Sequence, residues 1–161
     1  MRGKNKPLIL LPFRQTPGLC GPASLKILLS YFEKNYSEKK LTELSHASTK
    51  TGTLHEGLIE AAKKIGARVQ AKDKGTLVQL KKYIHKQKLP VLIGWFDAEP
   101  PDAGDHFSVV YHITEKFIYL MDPELHSGKR KMSLKNFLEV WYDYDEDETK
   151  KIHRWYMVIT F

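Results

Sequence analysis

The chain has 161 residues, 42% of them apolar and 28% charged, a length that suits one domain burying roughly two-thirds of its unfolded surface and a composition that excludes disorder. Its one cysteine excludes an internal disulfide, leaves the thiol free for chemistry and points to a reducing compartment. The formal net charge of +7 is spread over lysine clusters at 2–6, 34–40, 72–74, 81–88 and 129–135, read as helix faces or turns; without interleaved aromatic residues it predicts no specific nucleic-acid partner.

Pro7 and Pro12 bracket an apolar run, Leu8 to Leu11, too short for a signal-peptide core, and no later run approaches the length of a membrane span. A cytoplasmic protein with no membrane anchor is expected. Leu8 to Phe13 reads as a short strand that gives way to the turn residues Thr16-Pro17-Gly18. Pro22 suits the first turn of a helix, and Ile27, Leu28, Tyr31 and Phe32 recur at helical spacing, so a helix runs to about Lys34 with Cys20 at its N-terminus. Ser37 caps a second helix over roughly Lys39 to Ala47, and a third covers about Leu54 to Ile65 and stops at Gly66. A strand over Arg68 to Ala71 leads to a fourth helix from Thr76 to His85.

After Leu89-Pro90 the pattern changes. Val91 to Phe96, His106 to Ile113, Phe117 to Met121 and Arg154 to Thr160 are rich in β-branched and aromatic residues and read as strands. One amphipathic helix, Ser133 to Trp141, interrupts them, and the acidic run Asp143 to Glu148 reads as an exposed loop. A helical first half followed by a sheet-forming second half makes the chain α+β, and nothing divides residues 1–161 into two domains.

A reactive cysteine needs a stabilised thiolate and an exposed sulfur, and the unpaired amides of a helix N-terminus provide the first. Gly21 would let a substrate carbonyl approach the backbone, while the N–H of Cys20 itself is one donor for an oxyanion. Gln15, across the Pro17-Gly18 turn, is the candidate second donor. The general base should be a histidine held by a carboxylate or amide. Of seven histidines, His46, His55, His85 and His126 lie in polar helix or loop contexts, His153 opens a strand without a partner, and His112 lies toward the far end of its strand.

His106 is different. It follows the loop Ala103-Gly104-Asp105 and begins a strand that returns through Thr114-Glu115-Lys116 to end at Asp122-Pro123. In an antiparallel pair the start of one strand lies beside the end of the next, so His106 and Asp122 are predicted neighbours. Trp95 and Phe96, ahead of the loop Asp97 to Asp105, are candidates for a substrate-binding rim, and Asp105 is a candidate modulator of His106. A metal site is not expected, since there is one cysteine and no pair of histidines on one helix face; no cofactor is implied.

Three blocks, Gln15-Thr-Pro-Gly-Leu-Cys20-Gly-Pro-Ala, Gly104-Asp-His106-Phe-Ser-Val-Val and Tyr119-Leu-Met-Asp122-Pro, resemble the papain-like peptidases that process bacteriocin leaders after a double glycine, and their stand-alone relatives. The resemblance spans almost the whole chain. It implies a helical lobe packed on an antiparallel sheet and an active site between them. It further implies hydrolysis of a peptide or protein substrate through an acyl-thioester on Cys20, with His106 as base, Asp122 orienting it and Gln15 as oxyanion donor. Two positions depart from the pattern: Gln15 stands one residue closer to the cysteine than is usual, and Leu19 occupies a site that often holds aspartate. The competing readings are an inactive peptide-binding homologue and a peptidyl transferase using the same residues; the oligomeric state is left open.

Overall fold

In the computed structural model, which describes residues 5–99 and 103–161, α1 (Cys20–Ser30) is the central helix, with Leu25, Ile27, Leu28 and Leu29 buried. It packs against α2 (Glu38–Ser45) and α3 (His55–Lys64) and on one face of a sheet. The predicted caps are present: Ser37 Oγ accepts from the Lys40 N–H at 3.0 Å to start α2, and Gly66, at φ +93°, follows the end of α3 in the left-handed region that favours glycine. Lys63 and Lys64 in the last turn of α3 complement the helix dipole.

The sheet has six antiparallel strands in the order β1 (Arg68–Lys72), β8 (Tyr156–Thr160), β2 (Val91–Asp97), β3 (Gly104–Ile113), β4 (Phe117–Met121) and β5 (Lys129–Ser133). Side chains alternate between its faces. Leu92, Phe107, Val109 and Met157 join the core shared with α1 to α3, while Ile93, Trp95, Val110 and Leu120 join a second core. That second core is closed by α4 (Leu77–Lys81) with its π-helical continuation Lys82–Gln87, and by α5 (Leu134–Val140). The α+β architecture is as expected, with helices on both faces of the sheet rather than one.

Four elements differ from the sequence reading. Leu8 to Phe13 forms no strand: Pro7 and Pro12 have no N–H to give a ladder, and the segment is tied instead by Leu8 N–H to Tyr111 O (2.9 Å) and Leu11 N–H to Ser30 Oγ (2.9 Å). Tyr111 sits where the β3–β4 register shifts, so its carbonyl is turned out of the ladder. The strand expected over Arg154 to Thr160 begins two residues later, as β8, because a left-handed Arg154, φ 57°, separates it from a short strand before it, β7 (Lys151–His153). The acidic run is not all loop, because β6 (Tyr142–Tyr144) pairs with β7 and Asp143 is buried. The lysines near 130 lie on β5 rather than on a helix or turn. Of the expected loop Asp97 to Asp105, residues 100–102 fall outside the described residues, as do 1–4 of the first lysine cluster, and Gly104 and Asp105 already belong to β3.

Candidate active site

Cys20 is the first residue of α1, partly exposed, where its N–H has no acceptor in a preceding helical turn. Leu19 N–H donates to Thr16 O at 3.0 Å, closing the turn before it. Glu38, at the start of α2, grips that turn through both carboxylate oxygens, accepting from the Thr16 N–H at 2.8 Å and the Thr16 hydroxyl at 2.6 Å. Gly18 has φ +87°, and a Cβ there would lie 2.7 Å from Thr49 O. Only glycine fits both the conformation and the close approach.

His106 opens the inner part of β3 and is 5% exposed; Asp122, just past the end of β4, is fully buried. His106 Nε2 donates to Asp122 Oδ1 at 2.7 Å, as the hairpin topology predicts. Cys20 lies near enough to the same imidazole to raise its pKa, and with Nε2 bonded to Asp122, Nδ1 is the ring nitrogen left for the sulfur. Burial by itself would depress the histidine's pKa, but the bond to Asp122 and the neighbouring Cys20 outweigh it and push the pKa up to about 10. Burial would raise Asp122; His106, the Glu124 N–H and the Arg130 charge outweigh it and hold its carboxyl below the usual range. The pair is therefore an imidazolium and a carboxylate at neutral pH.

Gln15 lies beside this pair through its backbone, its N–H donating to Pro123 O at 2.9 Å. Its side-chain Nε2 reaches Thr16 O only at 3.4 Å, and its Oε1 is buried without a partner. The amide is thus held in the site's first loop without a strong bond fixing its orientation.

Residues 15–144 match the Peptidase C39 family. The chain belongs to that family. The pediocin PA-1 transport/processing ATP-binding protein PedD of Pediococcus acidilactici is 30% identical over 126 residues, which are 76% of this chain and 16% of that protein. The chain thus spans less than a fifth of the length of that curated relative. Among solved structures, the peptidase domain of Streptococcus ComA superposes with a TM-score of 0.69 at 23% identity, covering 95% of this chain and 98% of that one. A double glycine motif protease from an AMS/PCAT transporter, solved with its leader peptide, gives 0.72 at 19% identity over 95% and 92%. A putative C39-like peptidase from Bacillus anthracis gives 0.71 at 16% over 94% of each chain. At these identities the structures establish the fold, which is papain-like.

The C39 site in this chain corrects three readings of its surroundings. Trp95 is not on a substrate rim: it is 2% exposed, its Nε1 donates to Ser108 Oγ at 3.0 Å, and its ring meets His106 edge-on at 5.4 Å. Asp105 does not act on His106, because adjacent strand residues point to opposite faces; it is exposed and its Oδ2 accepts from the Tyr144 N–H at 3.2 Å. Desolvation, together with Asp143 and Glu148, raises its pKa to about 6 against the opposing Tyr144 bond. Gly21 is buried, and a Cβ would fall 2.4 Å from Thr53 Oγ1, so the glycine there serves the approach of the α3 entry loop.

Other residues around the candidate site have no signal in the sequence. Arg130 Nε donates to Asp122 Oδ2 at 2.8 Å, and Glu124 Oε2 lies 3.7 Å from His106 Nε2. His55, set aside in the sequence reading, is partly buried in a second imidazole–carboxylate pair with the buried Asp143 at 2.5 Å and stacks on Trp155 at 4.1 Å. His106, Asp122 and Glu124 offer ligand atoms within 4.8 Å of one another. Both Asp122 oxygens already accept hydrogen bonds, and a guanidinium adjoins them, so this cluster is built for an internal cation rather than a metal. Among the described residues no helix is long and apolar enough to cross a membrane.

Proposed function

We propose that this C39 chain is a cysteine peptidase that cleaves a peptide substrate through an acyl-thioester on Cys20, with leader peptides ending in a double glycine as the substrate class. The observation that carries the reading is the buried His106–Asp122 hydrogen bond, with Cys20 at the start of α1 near enough to the same imidazole to raise its pKa. In this mechanism the proton of Cys20 rests on His106 Nδ1, completing the imidazolium, and the Cys20 sulfur attacks the scissile carbonyl. Negative charge on the carbonyl oxygen is met by the Cys20 N–H and the Gln15 side-chain amide. The imidazolium then protonates the departing amine, leaving the acyl-thioester. Water, deprotonated by the neutral imidazole, attacks that ester, releases the new carboxylic acid and regenerates the Cys20 sulfur beside the imidazolium.

Asp122 keeps Nε2 occupied, so that Nδ1 alone faces sulfur, and its charge favours the imidazolium that protonates the leaving amine and re-forms when water is deprotonated. The leader-peptide preference rests on kinship: PedD is named for transport and processing, and one structural neighbour is a double glycine motif protease solved with its leader peptide. The test is mass spectrometry of synthetic leader peptides incubated with the protein. Cutting after the double glycine is expected in the wild type and absent in Cys20→Ala, whose thermal unfolding should match the wild type. Cleavage that persists in Cys20→Ala would refute the mechanism, and products joined to an added amine in place of a free carboxylate would identify a transferase.

A further inference from the structure

Asp122 is charged, fully buried and oriented, and the group that makes this possible is on the neighbouring strand. The chain leaves β4, turns through residues 122–128 with Asp122 N–H donating to Gly128 O at 2.7 Å, and returns as β5, pairing Arg130 with Leu120. The Arg130 guanidinium then donates to Asp122 Oδ2 at 2.8 Å, approaches Asp97 Oδ2 on β2 at 3.6 Å, and covers the Trp95 ring at 5.2 Å from its centroid. Trp95 is paired with His106 across β2 and β3 and touches its ring. The Arg130 side chain is 19% exposed and that of Asp97 is 12% exposed, so little water competes for these contacts.

We infer that Arg130 is a positioning residue of the site, a clamp that locks the Asp122 carboxylate and the Trp95 ring against His106 and is itself anchored by Asp97. The inference rests on the peptidase reading above. The charged groups facing Asp122 are His106 from β3, Arg130 from β5 and Glu124 from the intervening turn, with Cys20 beyond the imidazole and Asp97 beyond the guanidinium. Two of these are cations in direct contact with the carboxylate. Without Arg130, Asp122 Oδ2 loses its only side-chain donor among the described residues, the carboxylate is free to rotate away from Nε2, and it protonates at a higher pH. A planar fork holding an acid and a ring together has no equivalent in an ammonium group.

The experiment reads Cys20 alkylation by iodoacetamide against pH, which needs no peptide substrate, in the wild type, Arg130→Gln, Arg130→Lys and His106→Ala. Arg130→Gln should slow alkylation at pH 5 by about 10- to 100-fold, the scale of a small misplacement in a site of this kind, and move the acid limb of the profile to higher pH. Arg130→Lys should return the limb to the wild-type position, because the charge is back, with only part of the rate. A folded Arg130→Gln variant whose acid limb stays in place would overturn the inference. Should Arg130→Gln fail to fold, Arg130→Lys decides alone: a rate equal to wild type overturns the clamp. If wild type and His106→Ala react alike, it is the peptidase reading that has failed.

Discussion

Gln15 and Arg130 mark the two ends of what single residues contribute here. Gln15 stood out in the sequence only through its pairing with Cys20, five residues on at the start of a helix. Its backbone sits at the Asp122-Pro123 turn, while its side chain makes only a 3.4 Å bond to Thr16 O. Gln15→Ala should lower turnover by about 10²- to 10³-fold with little change in KM, the usual loss for one oxyanion donor; steady-state kinetics on a leader peptide that return near wild-type turnover would remove Gln15 from the site. His106 and Asp122 were legible for a different reason, since a hairpin's connectivity alone places its first and last residues side by side. Arg130 was not, because nothing in Lys129-Arg-Lys-Met-Ser distinguishes a clamp from surface charge. Trp95 was misplaced by its proximity in sequence to a loop, where strand parity puts it in the core beneath His106.

At the level of elements, the helices and the apolar strands followed their periodicity, and the failures share one cause. β5 has no apolar alternation to read, and an edge strand rich in lysine is how sheets avoid pairing with other chains. The β6–β7 hairpin was hidden in an acidic run whose one structural residue, Asp143, looks like its neighbours in sequence. In the fold its carboxylate is held by His55, whose ring stacks on Trp155 and meets Phe107 edge-on, and its second oxygen, Oδ1, is buried and has no partner among the described residues. This pair fastens the hairpin to the start of α3, two residues after the Thr53 side chain that packs on Gly21. Removing one member leaves a polar group buried and unpaired, so His55→Ala should cost about 3–5 kcal/mol in urea unfolding. His55→Ala combined with Asp143→Ala should cost less than the sum of the two; additive losses would show that the pair is not coupled.

Across the whole molecule, the sheet carries one half of the site and the helical layer the other. Cys20 and the Gln15 loop come with α1 and the Glu38 clamp, whereas His106, Asp122 and Arg130 come from three consecutive strands. Composition anticipated that the chain would fold, and the blocks around Cys20, His106 and Asp122 anticipated the family. The clamp across β2 to β5 had no such signal, because it joins residues far apart in sequence through charge. The central claim is that these halves meet as a working Cys20–His106 pair. The most direct test is the second-order rate of Cys20 alkylation by iodoacetamide from pH 4 to 9 in the wild type and His106→Ala. With the imidazolium retained up to about pH 10, the account predicts a fast reaction that persists well below about 8.5, the range of an unassisted thiol, and is lost in the variant. A slow profile rising only near that pH and unchanged by His106→Ala would contradict it.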